Sequence, residues 1–177
     1  ADVSRQEDCE RAVLETVGRF GRLDILVNNA GTAAGRPFEE ITTDVWRQDL
    51  DLKLFGAIHC SRAAIPHMRA AGGGAIVNLT AVGGKTPGAS SMPSSVSRAA
   101  GLALTKAMSR DLGPDNIRVN TVCIGFIRSD QIERLWQRSA PDKSWGQFAA
   151  GLAGNIPLGR VGAADEAANV IAFLASP

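Results

Sequence analysis

Three short apolar runs set the strongest limit on how this chain folds. "LDILVNNAG" (23–31), "AIVNLTAV" (75–82) and "IRVNTVCIGFI" (117–127) are each too brief for a helix and end in turn-forming residues. Runs of that length and composition read as buried strands. Each is separated from the next by a longer stretch with helical spacing. Strands alternating with helices imply right-handed crossovers and a parallel sheet with helices on both faces. In such a sheet ligands sit beyond the carboxyl ends of the strands. Those ends here are Asn28 to Gly31, Thr80 to Gly84, and Cys123 to Ser129.

The helical stretches carry their own punctuation. Ser4 and Glu7 have capping-box spacing, and Cys9, Ala12, Val13, Val17 and Phe20 then recur on one helix face. Gly21 closes that helix as a residue able to take positive φ. Thr42 or Thr43 caps a second, longer helix running to about Arg69, with Pro66 weakening its last turns and "AGGG" stopping it. A Gly, Pro and Ser-rich loop spans Gly83 to Pro93. The next helix presents Val96, Ala99, Ala100, Ala103, Leu104, Ala107 and Met108 on one face, until "GPDN" breaks it. Ser129 to Asn155 reads as two short helices or a mobile flap, with Trp136 and Trp145 available as covers, and a last helix spans Ala164 to Ala175. No repeat or linker divides the chain, so residues 1–177 read as one domain.

Composition narrows the function classes. A net charge of +1 gives no basic stripe, which argues against a nucleic-acid partner. No apolar run approaches the roughly 18 residues a membrane helix needs. The segment "ADVSRQEDCER" lacks the features of a secretory signal. Three widely spaced cysteines, Cys9, Cys60 and Cys123, suggest reduced thiols in a cytoplasmic protein. With only two histidines, His59 and His67, no metal site is expected.

Several segments together resemble the short-chain dehydrogenase/reductase family: Asp2-Val3, "NNAG" (28–31), "IVN" (76–78), "LTKA" (104–107), "IRVN" (117–120) and "IPLGRVGAADEAANVIAFLAS" (156–176). The resemblance spans essentially the whole chain. It implies a three-layer Rossmann-like α/β domain and NAD(P)(H)-linked interconversion of a carbonyl and an alcohol. Family members begin with a strand and a TGxxxGxG turn that cradles the cofactor pyrophosphate. By that comparison this chain lacks the first two strands and the last strand. NAD or NADP is then expected for the complete protein, with weak or absent binding in this chain. The strand "LDILVNN" would be left with an exposed apolar edge. The resemblance also implies a homodimer or homotetramer through helices 43–69 and 94–112.

The same register shows that the usual reactive residues have been exchanged. The chain contains no tyrosine. Ser94 stands at the position of the family's catalytic tyrosine, Arg98 at its lysine, Ala81 at its serine with Thr80 beside it, and Lys53 at its asparagine. Ile124 stands where a proline is customary. An aliphatic hydroxyl is a far weaker acid than a phenol, and Arg98 is planar and permanently protonated, unlike a lysine. Two readings follow. In one, Lys53, Ala81 and Ser94 are relaxed positions in a disused site of a non-catalytic oligomer subunit. In the other, a substituted set operates on a small carbonyl or alcohol substrate: Lys53 supplies charge or a proton, Thr80 or Ser94 binds the substrate oxygen, and Arg98 holds the cofactor. A Ser94–Lys53 hydrolase dyad is a third arrangement. The resemblance further implies cofactor-side roles for Asp2, Asn28, Gly31 and Ser129. Asn78 is expected to tie strands together, Arg160 to buttress the flap, and Trp46, His59 and His67 to pack.

Overall fold

The computed structural model describes residues 1–154 and 156–177. They divide into two compact units, 1–123 with 174–177, and 124–173. Asn155, the end of the expected flap, lies outside the described residues.

The larger unit opens with helix α1 (Gln6–Phe20), which ends as expected on Gly21 at φ 78°. The expected Ser4–Glu7 capping box does not form. Arg5 is the N-cap, without a side-chain cap bond. Ser4 is captured instead by Asp2, whose Oδ1 accepts the Ser4 N–H at 3.0 Å and hydroxyl at 2.8 Å. A local aspartate turn competes with the cap for the same hydroxyl and wins.

Strand β1 (Ile25–Asn28) pairs parallel with β2 (Gly74–Ala81), Ile25 opposite Ala75 and Asn28 opposite Asn78. Strand β3 (Ile117–Ile124) lies on the other side of β2. The central β2 is buried along nearly its whole length, whereas β1 alternates, with Ile25 46% and Val27 39% exposed. The expectation that β1 is buried is therefore corrected. It is an edge strand covered on one face, and an uninterrupted apolar run does not distinguish that state from full burial.

The long second helix is continuous but not uniform. It comprises α2 (Thr43–Leu50), capped by Thr42 Oγ1 accepting the Val45 N–H, a π-helical turn at Asp51–Phe55, and α3 (Gly56–Ala70). Pro66 lies inside α3, and the stop falls at Gly72 and Gly73, both at positive φ. Helix α4 (Ser94–Asp111) follows the loop after β2. The core is built by Val13, Ala64, Met68, Ile76, Leu112, Ile117 and Val119 from α1, α3, β2, the end of α4 and β3. Met68 is fully buried there, so its truncation to Ala would cost about 2–5 kcal/mol.

The smaller unit resolves the expected flap into two helices, α5 (Asp130–Ser139) and α6 (Trp145–Ala153). Ser144 and Gln147 form a capping box at the start of α6. Trp145 gathers Trp136, Phe148 and the Arg128 guanidinium, the last 4.6 Å from its ring centre. Arg160 forks onto Glu166 at 2.6 and 2.8 Å and holds that carboxyl well below its usual range, to about 2. Helix α7 (Ala164–Ala175) completes the order. Among the described residues no helix is long and apolar enough to cross a membrane.

Candidate active site

The carboxyl ends of β1 and β2 face the π-helical turn and the first turn of α4, and the exchanged residues meet there. Lys53 sits in the π-helical turn, a distortion often found at functional positions. Its side chain is 1% exposed and donates to Ser94 Oγ at 2.8 Å and to Asp49 Oδ1. The Ser94 hydroxyl opens α4. It also accepts the Ala34 N–H at 3.0 Å and directs its own proton toward Asp49 Oδ1 at 3.4 Å. Ser97, one turn along α4, donates to Asp49 Oδ2 at 2.6 Å. Asp49 and Lys53 thus form a buried ion pair bonded to two serine hydroxyls, and one of these, Ser94, also accepts a backbone amide.

Arg98 lies beside this pair. Its Nη1 donates to the Leu79 carbonyl at 2.5 Å, and its Nη2 rests against the bare Cα of Gly31, where an added Cβ would come within 2.6 Å. Gly84 permits the matching approach on the other side, since a Cβ there would lie 2.9 Å from the Arg98 carbonyl carbon and 3.0 Å from the Ala99 nitrogen. Burial lowers the Lys53 pKa from its ordinary value; Asp49 opposes that shift and Arg98 adds to it. Burial likewise lowers Arg98, again opposed by Asp49.

Not every residue expected at the site points into it. Thr80 lines the same small cavity as Asn28, Lys53, Asn78 and Arg98, a space of about 10 Å³. That is room for about one water. Its hydroxyl, however, turns toward β3 and pairs with Thr121 Oγ1 at 2.9 Å, Thr121 donating in turn to the Asn78 carbonyl. Asn28 Nδ2 donates to Asn78 Oδ1 at 2.8 Å and to Ser61 Oγ at 3.2 Å, and Asn78 donates to Thr105 Oγ1. Those two asparagines tie β1, β2, α3 and α4 together. Asp2 is occupied by Ser4 and does not line the cavity. Ser129 belongs to the smaller unit, as the N-cap of α5. Ala81 ends β2 and brings no polar atom.

Two members of the cluster, Asp49 and Ser97, have no counterpart among the residues expected from sequence. The available signal was spacing: Asp49 and Lys53 are four apart on a helix, and Ser97 follows Ser94 by three.

Comparison with known proteins shows what the whole chain is similar to. A family model described as enoyl-(acyl carrier protein) reductase matches residues 1–177. The L-fucose dehydrogenase of Oryctolagus cuniculus is 36% identical over 179 residues, covering 99% of this chain and 61% of that protein. The trans-4-hydroxycyclohexanecarboxylate dehydrogenase of Sinomonas cyclohexanicum is 35% identical over 175 residues, 99% of this chain and 62% of its own length. The chain thus spans somewhat over three fifths of these relatives. Among solved structures, a short chain oxidoreductase from Pseudomonas aeruginosa PAO1, described as containing an atypical catalytic center, is 35% identical with a TM-score of 0.93. It is matched over 100% of this chain and 69% of that one. The L-sorbose reductase of Gluconobacter frateurii, solved with NADPH and L-sorbose, is 30% identical with a TM-score of 0.91 over 99% of this chain and 68% of that one.

Proposed function

Because this chain belongs to the short-chain dehydrogenase/reductase family, we propose that it serves an NAD(P)(H)-linked oxidoreductase acting on a small carbonyl or alcohol, with Ser94 and Lys53 delivering the proton. The observation that carries this reading is the 2.8 Å bond from Lys53 Nζ to Ser94 Oγ. It puts a donor whose charge can change directly behind a hydroxyl too weakly acidic to act alone.

When bound, the nicotinamide cofactor supplies or accepts the hydride at the substrate carbon. The residues present fit such a group. Arg98 offers a fork of donors beside the side-chain-free backbone of Gly31, a combination suited to a vicinal diol. Asn28, by contrast, holds the strand ends and shapes the floor of the cavity. During reduction the Ser94 hydroxyl gives its proton to the substrate oxygen and regains one from the Lys53 ammonium. Burial makes Lys53 the easier to deprotonate, which favours that transfer. Thr80, with its hydroxyl committed to Thr121, acts through the sheet and not on substrate.

One observation favours a rival, the non-catalytic oligomer subunit: the Ser94 hydroxyl already has three polar partners. Oligomerisation itself is compatible with both readings, and we assign it to helices 43–69 and 94–112, where Phe55 and Val96 are exposed. A cytoplasmic setting, with Cys9, Cys60 and Cys123 as free thiols, belongs to the same proposal. The deciding experiment follows NADH and NADPH fluorescence on titration with the full-length protein. Oxidation of the reduced cofactor by ketoses, aldoses and cyclic ketones is then measured. Binding followed by turnover supports the oxidoreductase; absence of any cofactor signal overturns it in favour of the rival.

A further inference from the structure

The proton-delivery reading leaves one buried charged group without a role. Asp49 lies one turn before Lys53, with its side chain 2% exposed. We infer that Asp49 is the positioning residue of this site, holding the Lys53 amine and the Ser94 hydroxyl on one carboxylate oxygen so that a proton leaving Ser94 is replaced from Lys53. The inference rests on the oxidoreductase reading above.

Three features support it. Oδ1 is shared, accepting Lys53 Nζ and, at 3.4 Å, the Ser94 hydroxyl, so both donors converge on one point. Oδ2 is fixed independently by Ser97 at 2.6 Å, which stops the carboxylate from rotating and ties it to α4. Ser97 is itself 2% exposed, so water does not compete for that bond. Finally, the charges facing Lys53 are Asp49 from its own helix and Arg98 from α4, while β1 and β2 bring only the uncharged Asn28, Asn78, Leu79 and Thr80 to the cavity. Burial and Arg98 both disfavour the ammonium; Asp49 favours it.

The proton inventory balances. As hydride from the reduced nicotinamide reaches the carbonyl carbon, the substrate oxygen takes the Ser94 proton and the alcohol forms. The Ser94 oxygen then takes a proton from Lys53, leaving a neutral amine beside Asp49. Solvent restores the ammonium before the next cycle; a reduced nicotinamide would be the source of the hydride and the group oxidised.

The test is an NMR titration of the full chain carrying 13Cε-labelled lysine, with the Lys53 signal assigned by its loss in Lys53→Arg. Removing the carboxylate's charge in Asp49→Asn is expected to move the Lys53 midpoint to lower pH by at least about one unit. Asp49→Glu, which keeps the charge, is expected to restore most of that shift. An unchanged midpoint in Asp49→Asn overturns the inference. If that variant does not fold, Ser97→Ala, which frees the carboxylate to turn away from Lys53, is read in its place, and a Lys53 midpoint unchanged from the parent's there overturns the inference equally. A parallel measurement separates the two readings. Where a carbonyl oxidises NADPH, the alkaline limb of its rate in Asp49→Asn follows the NMR midpoint downward. A midpoint that moves while no carbonyl oxidises NADPH sinks the oxidoreductase reading and leaves Asp49's hold on Lys53 standing.

Discussion

Lys53 Nζ donates to Ser94 Oγ at 2.8 Å across 41 residues of sequence. The π-helical turn and the start of α4 are thereby joined at the point where β1 and β2 end. Replacing Ser94 by Ala removes the hydroxyl proposed to meet substrate but not the Lys53–Asp49 pair. The expected result is a turnover loss of about 10²–10⁴ with cofactor affinity little changed, and a stability loss of about 1–3 kcal/mol from the partner that Ala34 and Lys53 lose. Stopped-flow reduction of a carbonyl, beside a thermal melt, checks both halves.

Removing Lys53 alone should hurt stability as well as rate, because it strands a buried carboxylate. Lys53→Met is expected to cost about 3–5 kcal/mol. Adding Asp49→Leu removes the stranded charge and should recover most of that loss, while activity stays absent. Denaturant melts of the single and double variants, read beside turnover, separate the chemical role of the pair from its structural one.

The pH dependence has a definite sign. Burial sets the folded-state pKa of Lys53 below its ordinary 10.5. Between those two values the unfolded chain binds the more protons, so this group makes stability rise with pH across that window. Below the folded value both states are charged and the group adds no slope. In the proposed proton delivery reduction needs the ammonium, so its rate should fall as pH rises through the folded value. Paired pH series of unfolding free energy and reduction rate test the opposite trends.

Gly31→Ala should displace the Arg98 guanidinium, since the new Cβ would lie 2.6 Å from Nη2. Cofactor affinity is expected to fall by more than the melting temperature does, as a flexible side-chain tip yields at small cost. Gly84→Ala meets the backbone of α4 instead, at 2.9 Å, and should destabilise by about 1–3 kcal/mol. Fluorescence titration and thermal melts distinguish the two.

Much of this architecture was legible because burial writes itself into apolar runs and punctuation. The bounds of α7, the stop at Gly72 and Gly73, and the helix opening at Ser94 follow from spacing, glycine and the preceding Pro93. The meeting of Lys53 with Ser94 followed from the family register. Asp49 did not, because an acid and a lysine four apart on a helix ordinarily face water, and only the tertiary packing of α4 buries them. The partner of the Thr80 hydroxyl was not legible for a related reason. Sequence places Thr80 at a strand end but does not say that Thr121 will claim its hydroxyl. The exposure of Ile25 and Val27 agrees with the apolar edge that the family register implied for "LDILVNN", and the apolar run by itself does not encode it.

The π-helical turn at Asp51–Phe55 accommodates one more residue than an α-helical path would need there. Deleting Asp51 or Leu52 from it would let the helix close into regular winding with α2 and α3 keeping their places, but positions 49 and 53 would then stand three apart instead of four. The amine would be displaced from the carboxylate and from Ser94 without any change in the chemical identity of either. The alignment of acid, amine and hydroxyl is thus stored as a surplus in helical pitch, and a one-codon deletion would erase it while sparing every side chain involved.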